Sequence, residues 1–235
     1  MAEVLRKLRG AWRRTASSDG SRSDITKMNQ TAATVRCLCG RTALHFHRPS
    51  VLRLDCGCRD CRQAREYVAS LGGPPSTSAM SSLAYFPNDV TLSDGEFRKF
   101  LLREGGKSTR LEATCCRSIL AVDHPGYGGK VVMVMLGAIG DLRGEVPPVL
   151  ARVYMADWDD AVDGPPPTAP PDVAVIRGDE PADDKARKAE VYRRVFRSTV
   201  VPEPRRGEAI QDVFARLGPV DILGLPEGKR FAAPA

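Results

Sequence analysis

Short stretches in which apolar and polar residues alternate recur through the middle of the chain, and this spacing predicts a mainly β protein. In the first of them, Val35, Cys37 and Cys39 share one parity. Further strands are predicted at Thr42–Phe46, Leu52–Cys56, Leu83–Phe86, Val90–Leu92, Phe97–Leu102, Arg110–Thr114, Ile119–Val122, Val131–Leu136 and Val153–Trp158. We expect the Asp94-Gly95 turn to close a hairpin between two of them.

One helix interrupts the predicted strands. Residues 59–71 contain no Gly or Pro, and Cys61, Ala64 and Val68 recur on one helical face. Gly72-Gly73 and two following prolines stop the pattern. The sequence therefore predicts one short helix that begins directly after a cysteine cluster.

A proline run at residues 165–171 divides the β-rich part from the C-terminal part of the chain. The predicted organisation is a disordered basic arm (residues 1–32), a zinc-binding β domain (33–163), and a Pro-rich, partly helical extension (164–235). Helices in that extension are predicted at about Asp183–Phe196 and Gly207–Leu217. Because the prolines separate it from the domain, we expect residues 31–163 to fold without it.

The net charge of +6 is concentrated in the arm, where residues 1–30 carry seven basic and three acidic side chains. We therefore expect no nucleic-acid surface on the folded domain. The alternative is a targeting helix, because Val4, Leu5, Leu8 and Trp12 have helical spacing among arginines. No apolar run approaches the ~20 residues that a membrane span needs, so we expect no membrane partner.

Seven cysteines fall into three tight groups and none stands alone. The groups are Cys37/Cys39, Cys56/Cys58/Cys61 and Cys115/Cys116. An odd number at such close spacing suits disulfides poorly. We interpret all seven as a metal-thiolate framework that holds one or two zinc ions. Because metal sites need free thiolates, we expect a reducing compartment such as the cytoplasm.

The first and last groups are predicted to make one structural site. Cys37 and Cys39 flank a turn between two strands, which is a usual position for half of such a site. Of the last two cysteines, Cys116 is the stronger candidate to complete this site. Cys115 has three alternatives: it completes this site, approaches the central group, or packs in the core.

The central group supplies three thiols and no obvious fourth ligand. Zinc with three protein ligands keeps one open position, which suits it to trap an incoming thiolate and to promote catalysis by Cys56, Cys58 and Cys61. The alternative is closure by another side chain, with the candidates His45, His47, His124, Asp55 and Cys115.

A basic edge accompanies the central group on the predicted helix. Arg59, Arg62 and Arg65 can hold a carboxylate of an anionic thiol, and Arg62 is the candidate substrate contact. Ordinary solvated helix charge is the alternative interpretation.

These motifs together resemble a known family. C-x-C-G at Cys37–Gly40, C-x-C-x-x-C-R at Cys56–Arg62, and a cysteine pair followed by Ser118-Ile119-Leu120 are similar to the glutathione-dependent formaldehyde-activating enzymes. That family includes centromere protein V and has the Mss4-like β fold. The resemblance covers roughly residues 33–160 and suggests a divergent branch.

The resemblance implies a structural zinc at Cys37, Cys39 and the late pair, and a zinc at Cys56, Cys58 and Cys61 where substrate binds. It implies carbon–sulfur lyase chemistry, in which glutathione adds to formaldehyde to give S-hydroxymethylglutathione. The chain departs from the family pattern twice. Gly57 replaces the histidine of the central motif, and adjacent cysteines replace a late C-x-x-C.

Two functions are consistent with these observations. The first is thiol-dependent carbon–sulfur chemistry with a small thiol such as glutathione. The second is a non-catalytic zinc module that binds a protein or nucleic acid through its tails. An exchangeable coordination position favours the enzyme, and a closed second site favours the module.

Overall fold

The computed structural model describes residues 31–179, 181–182, 186, 196, 199–201 and 203–231. All but two residues of the predicted helix at Asp183–Phe196, and nearly all of the N-terminal arm, lie outside these residues.

The described residues form a mainly β protein with two sheets, which confirms the predicted fold class. The strands are β1 (Ala33–Arg36), β2 (Ala43–Phe46), β3 (Leu52–Cys56), β4 (Ser81–Pro87), β5 (Val90–Leu92), β6 (Phe97–Leu101), β7 (Thr109–Ala113), β8 (Ser118–Asp123), β9 (Val131–Met135), β10 (Asp141–Arg143), β11 (Ala151–Val153), β12 (Ala174–Val175) and β13 (Asp221–Ile222). The α-helices are α1 (Arg59–Ser70), α2 (Asp160–Asp163) and α3 (Ile210–Arg216), and short 3-10 turns lie at Pro125–Tyr127, Leu136–Ala138 and Met155–Asp157.

The smaller sheet has the order β10-β1-β2-β5, and the larger has the order β12-β11-β3-β4-β9-β8-β7-β6-β13. Most neighbours are antiparallel, whereas β11 runs parallel to β3 and β12, and β13 runs parallel to β6. The large sheet therefore ends on both sides in strands from the C-terminal part of the chain.

The central strands of the large sheet are buried on both faces. Along β4, Leu83 and Tyr85 enter one hydrophobic cluster, while Ala84 and Phe86 enter another. The first cluster contains side chains of α1, and the second contains side chains of the small sheet and of α3. This burial explains why β9 reads as an unbroken apolar run, since both of its faces need apolar side chains.

Helix α1 covers one face of the large sheet and confirms the predicted helix, ending one residue earlier than expected. Its N-cap is Cys58, whose sulfur accepts a hydrogen bond from the N–H of Cys61, and Asp60 lies in the first turn, where negative charge suits the helix dipole. Ala64 and Val68 are fully buried against the sheet. The helix thus begins at the central cysteine group.

Two local predictions are wrong. The Asp94-Gly95 turn closes no hairpin, because β5 belongs to the small sheet and β6 to the large one. The predicted strand Val153–Trp158 ends at its first residue, because Tyr154 adopts a left-handed φ of 56° and a 3-10 turn comes next.

The described parts of the C-terminal segment pack against the sheets. Ile210, Val213 and Phe214 of α3 are buried in the second cluster. The side chain of Asn88 accepts a hydrogen bond from the Ile210 N–H at 2.8 Å and donates one to Gln211 at 2.8 Å. The C-terminal segment therefore contributes side chains to the same hydrophobic cluster as the small sheet. Among the described helices, none has the length and apolar character that crossing a bilayer requires.

Candidate metal centres

Four cysteine sulfurs meet where the β1–β2 turn approaches the β7–β8 turn. The Sγ atoms of Cys37, Cys39, Cys115 and Cys116 all lie within 4.8 Å of one another. The closest pairs are Cys39–Cys115 at 3.4 Å and Cys37–Cys39 at 3.5 Å, with Cys37–Cys115 and Cys115–Cys116 at 3.8 Å. Tetrahedral zinc with Zn–S bonds of about 2.3 Å places its sulfurs roughly 3.8 Å apart. These thiols therefore fit a tetrahedral metal ion, and their separations exceed a disulfide bond.

The turn between β7 and β8 allows two adjacent cysteines to face the same group. Adjacent side chains of a straight strand point to opposite faces. Here β7 ends at Ala113 and β8 begins at Ser118, and Arg117 between them adopts a left-handed φ of 58°. Of the three alternatives for Cys115, the structure shows the first, in which it joins Cys116 in the four-sulfur group.

Hydrogen bonds of polar side chains connect the two turns and fix the β7–β8 turn to its neighbouring strand. The buried hydroxyl of Ser118 accepts a hydrogen bond from the Leu38 N–H at 2.8 Å and contacts the Cys116 sulfur at 3.4 Å. The carboxylate of Glu112, which is fully buried, accepts hydrogen bonds from Arg117 at 3.0 Å and Arg98 at 2.7 Å. The turn that carries the late cysteine pair is thus fixed to the strand beside it.

The thiols of this group have different proton affinities. The hydrogen bond from Arg41 lowers the pKa of Cys39 from 9.0 to about 6. Burial raises the pKa of Cys37, but hydrogen bonds from Thr42 outweigh it and the net shift is downward. Burial and the neighbouring thiols raise the pKa of Cys115 to about 12. The exposed edge of the group is therefore a thiolate at neutral pH.

The central group contains three cysteines from one continuous segment. Cys56 ends β3, Cys58 caps α1, and Cys61 lies in the first helical turn. Their Sγ atoms all lie within 4.8 Å of one another. The N–H of Cys58 donates to the Cys56 sulfur at 3.4 Å, and the N–H of Cys61 donates to the Cys58 sulfur at 3.3 Å. The strand-to-helix turn therefore makes the three sulfurs converge.

None of the predicted fourth ligands joins the central group. His45 and His47 contact threonine hydroxyls at 3.1 and 2.9 Å, and His124 Nδ1 accepts a hydrogen bond from a nearby backbone N–H at 2.8 Å. Asp55 points to the face of β3 opposite its neighbour and lies 3.9 Å from an arginine. Cys115 belongs to the other group. Among the described residues, no other His, Cys, Asp or Glu comes within ligand distance of all three sulfurs.

Two buried arginines lie beside the central group. Arg65 and Arg110 are only 2% and 3% exposed, and their hydrogen bonds go to neutral oxygens. Burial lowers the pKa of each, while the Cys61 thiolate acts in the opposite direction, followed by smaller effects of Glu66 on Arg65 and Asp60 on Arg110. A buried cation needs anionic partners. This environment suits a cluster of thiolates, whose charge a zinc ion would only partly neutralise.

The thiols themselves reflect that environment. Hydrogen bonds from Cys56 and Cys58 lower the pKa of Cys61 well below its usual value, and the nearby arginines lower it further. Hydrogen bonding to its two neighbours, with burial, raises the pKa of Cys56. Of the three thiols, Cys61 therefore has the lowest pKa.

Gly57 sits where the resembled family carries a histidine. Its N–H donates to the Val153 carbonyl at 2.9 Å. A Cβ here would lie 3.1 Å from both the Met155 sulfur and the Tyr154 carbonyl oxygen, and 3.6 Å from the Trp158 ring. A histidine does not fit this packing, because the segment after β11 covers the position.

The predicted basic edge is divided between two environments. Arg62 forms a buried ion pair with Asp163, which also accepts a hydrogen bond from Arg230 at 3.1 Å. Arg59 and Arg62 line a cavity of about 690 Å³ that none of the three central cysteines lines. Arg65 instead lies at the cysteine group. The three arginines therefore do not act as one surface.

Sequence reasoning missed the role of Arg110 and grouped Arg65 with Arg59 and Arg62 in one basic edge beside the central group. Arg65 lies four residues after Cys61, so helical periodicity puts it on the same face, and that signal was available. Arg110 lies on β7, far along the chain from the central cysteines, and only the folded chain brings it near them. No local sequence pattern therefore indicates its role. No family model matches the chain, and a search of curated proteins finds no significant match.

Proposed function

We propose that this chain is a zinc protein with one structural and one substrate-binding ion, related to the glutathione-dependent formaldehyde-activating enzymes and their Mss4-like fold. The observation that carries the proposal is the difference in ligand number. Four cysteines form one group, whereas three form the other and no fourth ligand joins them among the described residues.

The reaction class is addition of a small thiol, such as glutathione, to a carbonyl carbon, or the reverse carbon–sulfur cleavage. Zinc held by three thiolates keeps an open position and lowers the pKa of a thiol bound there. In the forward direction the sulfur loses its proton and bonds to carbon, and the carbonyl oxygen gains a proton.

The chain's own residues would support this chemistry in two ways. Arg65 and Arg110 offset the negative charge of three thiolates and a bound fourth. Cys58 is the most exposed of the three cysteines, so an incoming thiol would approach on its side. The cavity beside Arg59 and Arg62 offers room for the rest of an anionic thiol, although Arg62 would share its charge with Asp163.

Cobalt substitution tests the open position. A fourth sulfur bound to tetrahedral Co(II) strengthens its sulfur-to-metal charge-transfer bands. We expect the spectrum of the cobalt protein to change when glutathione is added, and the change to be absent in Cys58→Ser. A glutathione analogue in which serine replaces the cysteine serves as the control. An unchanged spectrum at saturating thiol would mean that the site is closed.

A non-catalytic zinc module is the second candidate, and one observation favours it. Cys56 and Cys61 are 2% and 9% exposed, and no sulfur of the group lines the 690 Å³ cavity. A site closed in this way would stabilise the β3–α1 junction without admitting substrate. The same cobalt experiment separates the two functions, because only the enzyme predicts a response to thiol.

A further inference from the structure

A second cavity, of about 290 Å³, lies next to the central cysteine group, and Arg65 takes part in both. Its polar lining includes two arginines, Arg65 and Arg152, and the hydroxyls of Ser78 and Ser82. Only one carboxylate, that of Asp55, lines it. Two guanidinium groups against one carboxylate leave the cavity with an excess of positive charge.

Hydrogen bonds from Nε and Nη2 fix the Arg65 side chain, and its third nitrogen makes none among the described residues. Its Nε donates to the Ser81 hydroxyl at 2.8 Å, and its Nη2 donates to the backbone carbonyls of Ser78 and Ala79. Its Nη1 has no hydrogen-bond partner among the described residues and lies beside Gly137. A Cβ at Gly137 would come within 3.3 Å of Nη1. The lack of a side chain at Gly137 therefore leaves space beside this nitrogen.

Arg152 presents a second donor without a partner. Its side chain is 10% exposed, and its two Nη atoms donate to the carbonyls of Pro167 and Thr168. Its Nε is buried and has no hydrogen-bond partner among the described residues. The nearest oxygen of Asp55 lies 3.9 Å away, which is too far for a hydrogen bond. A buried N–H of this kind costs free energy unless something accepts from it.

The two serines can complete a set of donors. The Ser82 oxygen accepts a hydrogen bond from Arg53 at 2.9 Å, and the Ser78 oxygen accepts one from the Met80 N–H at 3.2 Å. Each hydroxyl hydrogen is then free to donate in another direction. Guanidinium and hydroxyl donors around one small space match the acceptor-only chemistry of an oxyanion.

We propose that this cavity binds a small oxyanion, a carboxylate or a phosphate group, between Arg65 Nη1 and Arg152 Nε. The volume is at the low end of small-molecule sites, so the ligand is a single acid group on a short carrier. The site shares Arg65 with the central cysteine group. It does not depend on whether the central cysteines are catalytic.

Isothermal titration of the full-length protein, purified with its metal under reducing conditions, tests this site. Inorganic phosphate and acetate are titrated separately at constant ionic strength. We expect saturable binding with one site per chain, and the tighter of the two ligands identifies the acid group. If neither ligand shows saturable binding at tens of millimolar, the proposal is wrong.

Two variants locate the binding. Arg152→Gln removes one donor, whereas Gly137→Ala keeps both arginines in the chain and adds a methyl group 3.3 Å from Arg65 Nη1. Gly137 has no left-handed φ, so alanine suits its backbone. We expect each to weaken binding about tenfold or more, the scale of one hydrogen bond to a charged group. Arg143→Gln, at an exposed arginine paired with Asp141, is the matched control and should bind normally.

Thermal melting accompanies the titrations, because Arg152 also holds the proline-rich segment through Pro167 and Thr168. If Arg152→Gln does not fold, Gly137→Ala decides the question alone. Normal affinity in a folded Gly137→Ala protein would overturn the proposed location.

Discussion

At the scale of single residues, Arg41 sets the charge of the exposed edge of the four-sulfur group. Its Nε donates to the Cys39 sulfur at 3.3 Å, and its Nη2 donates to the Cys115 carbonyl at 3.3 Å. This contact lowers the pKa of Cys39 to about 6. A metal ion must displace a proton from each thiol that it binds. A ligand with a lowered pKa therefore competes less for protons and keeps its metal at lower pH.

We expect Arg41→Ala to make the protein release zinc at higher pH. Without the guanidinium, the pKa of Cys39 rises towards 9.0, so protonation of the thiol begins earlier as the pH falls. The pH at which half of the zinc is released should rise by roughly half a unit or more. The absorbance of a colorimetric zinc chelator, recorded as the pH is lowered from 7.5, measures the zinc that the protein releases. Arg143→Ala is the control, and coincident release curves for Arg41→Ala and wild type would contradict the expectation.

At the scale of elements, the two cysteine groups connect different parts of the chain. The four-sulfur group joins the β1–β2 turn to the β7–β8 turn, across 76 to 78 residues in the contacts that cross it. The three-sulfur group lies within one strand-to-helix segment, from Cys56 to Cys61. A metal that closes a long loop restricts the unfolded chain more than one that closes a short loop.

We therefore expect Cys116→Ser and Cys58→Ser to have different consequences. Structural zinc contributes on the order of 10 kcal/mol in small sites, so loss of the long-range group should unfold or aggregate the protein. Cys58→Ser should cost one zinc per chain but keep the helix, because serine is a good N-cap residue. Zinc stoichiometry and circular dichroism compare the two. Equal loss of structure in both variants would show that the groups are not separable.

Local elements were the part of this fold that the sequence could predict. The Cys37–Gly40 turn is expected from strand alternation and a glycine, and α1 from helical spacing that ends at Gly72. The Asp94-Gly95 turn has the local signature of a hairpin, but β5 pairs with β2 instead of β6. Turn chemistry determines where a chain bends and not which strands then pair.

The candidate sites show the same division. Both cysteine groups could be predicted, because clustered thiols have few other uses. That Cys115 completes the first group required knowledge of the backbone, since only the turn at Arg117 brings adjacent side chains together. The charge-compensating role of Arg110 depends on the fold, which brings this β7 residue into electrostatic range of Cys61, and no spacing along the chain indicates it.

At the scale of the whole molecule, the C-terminal segment completes layers that the central domain begins. β12 and β13 extend the two edges of the large sheet, and α3 covers the second hydrophobic cluster. The proline-rich segment is also held by contacts. The Arg152 guanidinium donates to the Pro167 carbonyl, and the Trp158 indole donates to the Gly164 carbonyl at 2.9 Å. A segment that reads as a linker from its prolines is here part of the fold.

We expect a chain ending at residue 163 to lose its cooperative thermal transition or to become insoluble. Ile210, Val213 and Phe214 are 0%, 1% and 7% exposed, and each buried side chain of this size contributes about 1.5–3 kcal/mol. Their sum is comparable to the ~5–15 kcal/mol that stabilises a typical domain. Calorimetry of residues 31–163 and 31–235 measures the difference, with the longer chain as the control for loss of the arm. If the shorter chain melts cooperatively at the temperature of the longer one, the C-terminal layer is peripheral, and the boundary predicted at residue 163 describes an independent domain.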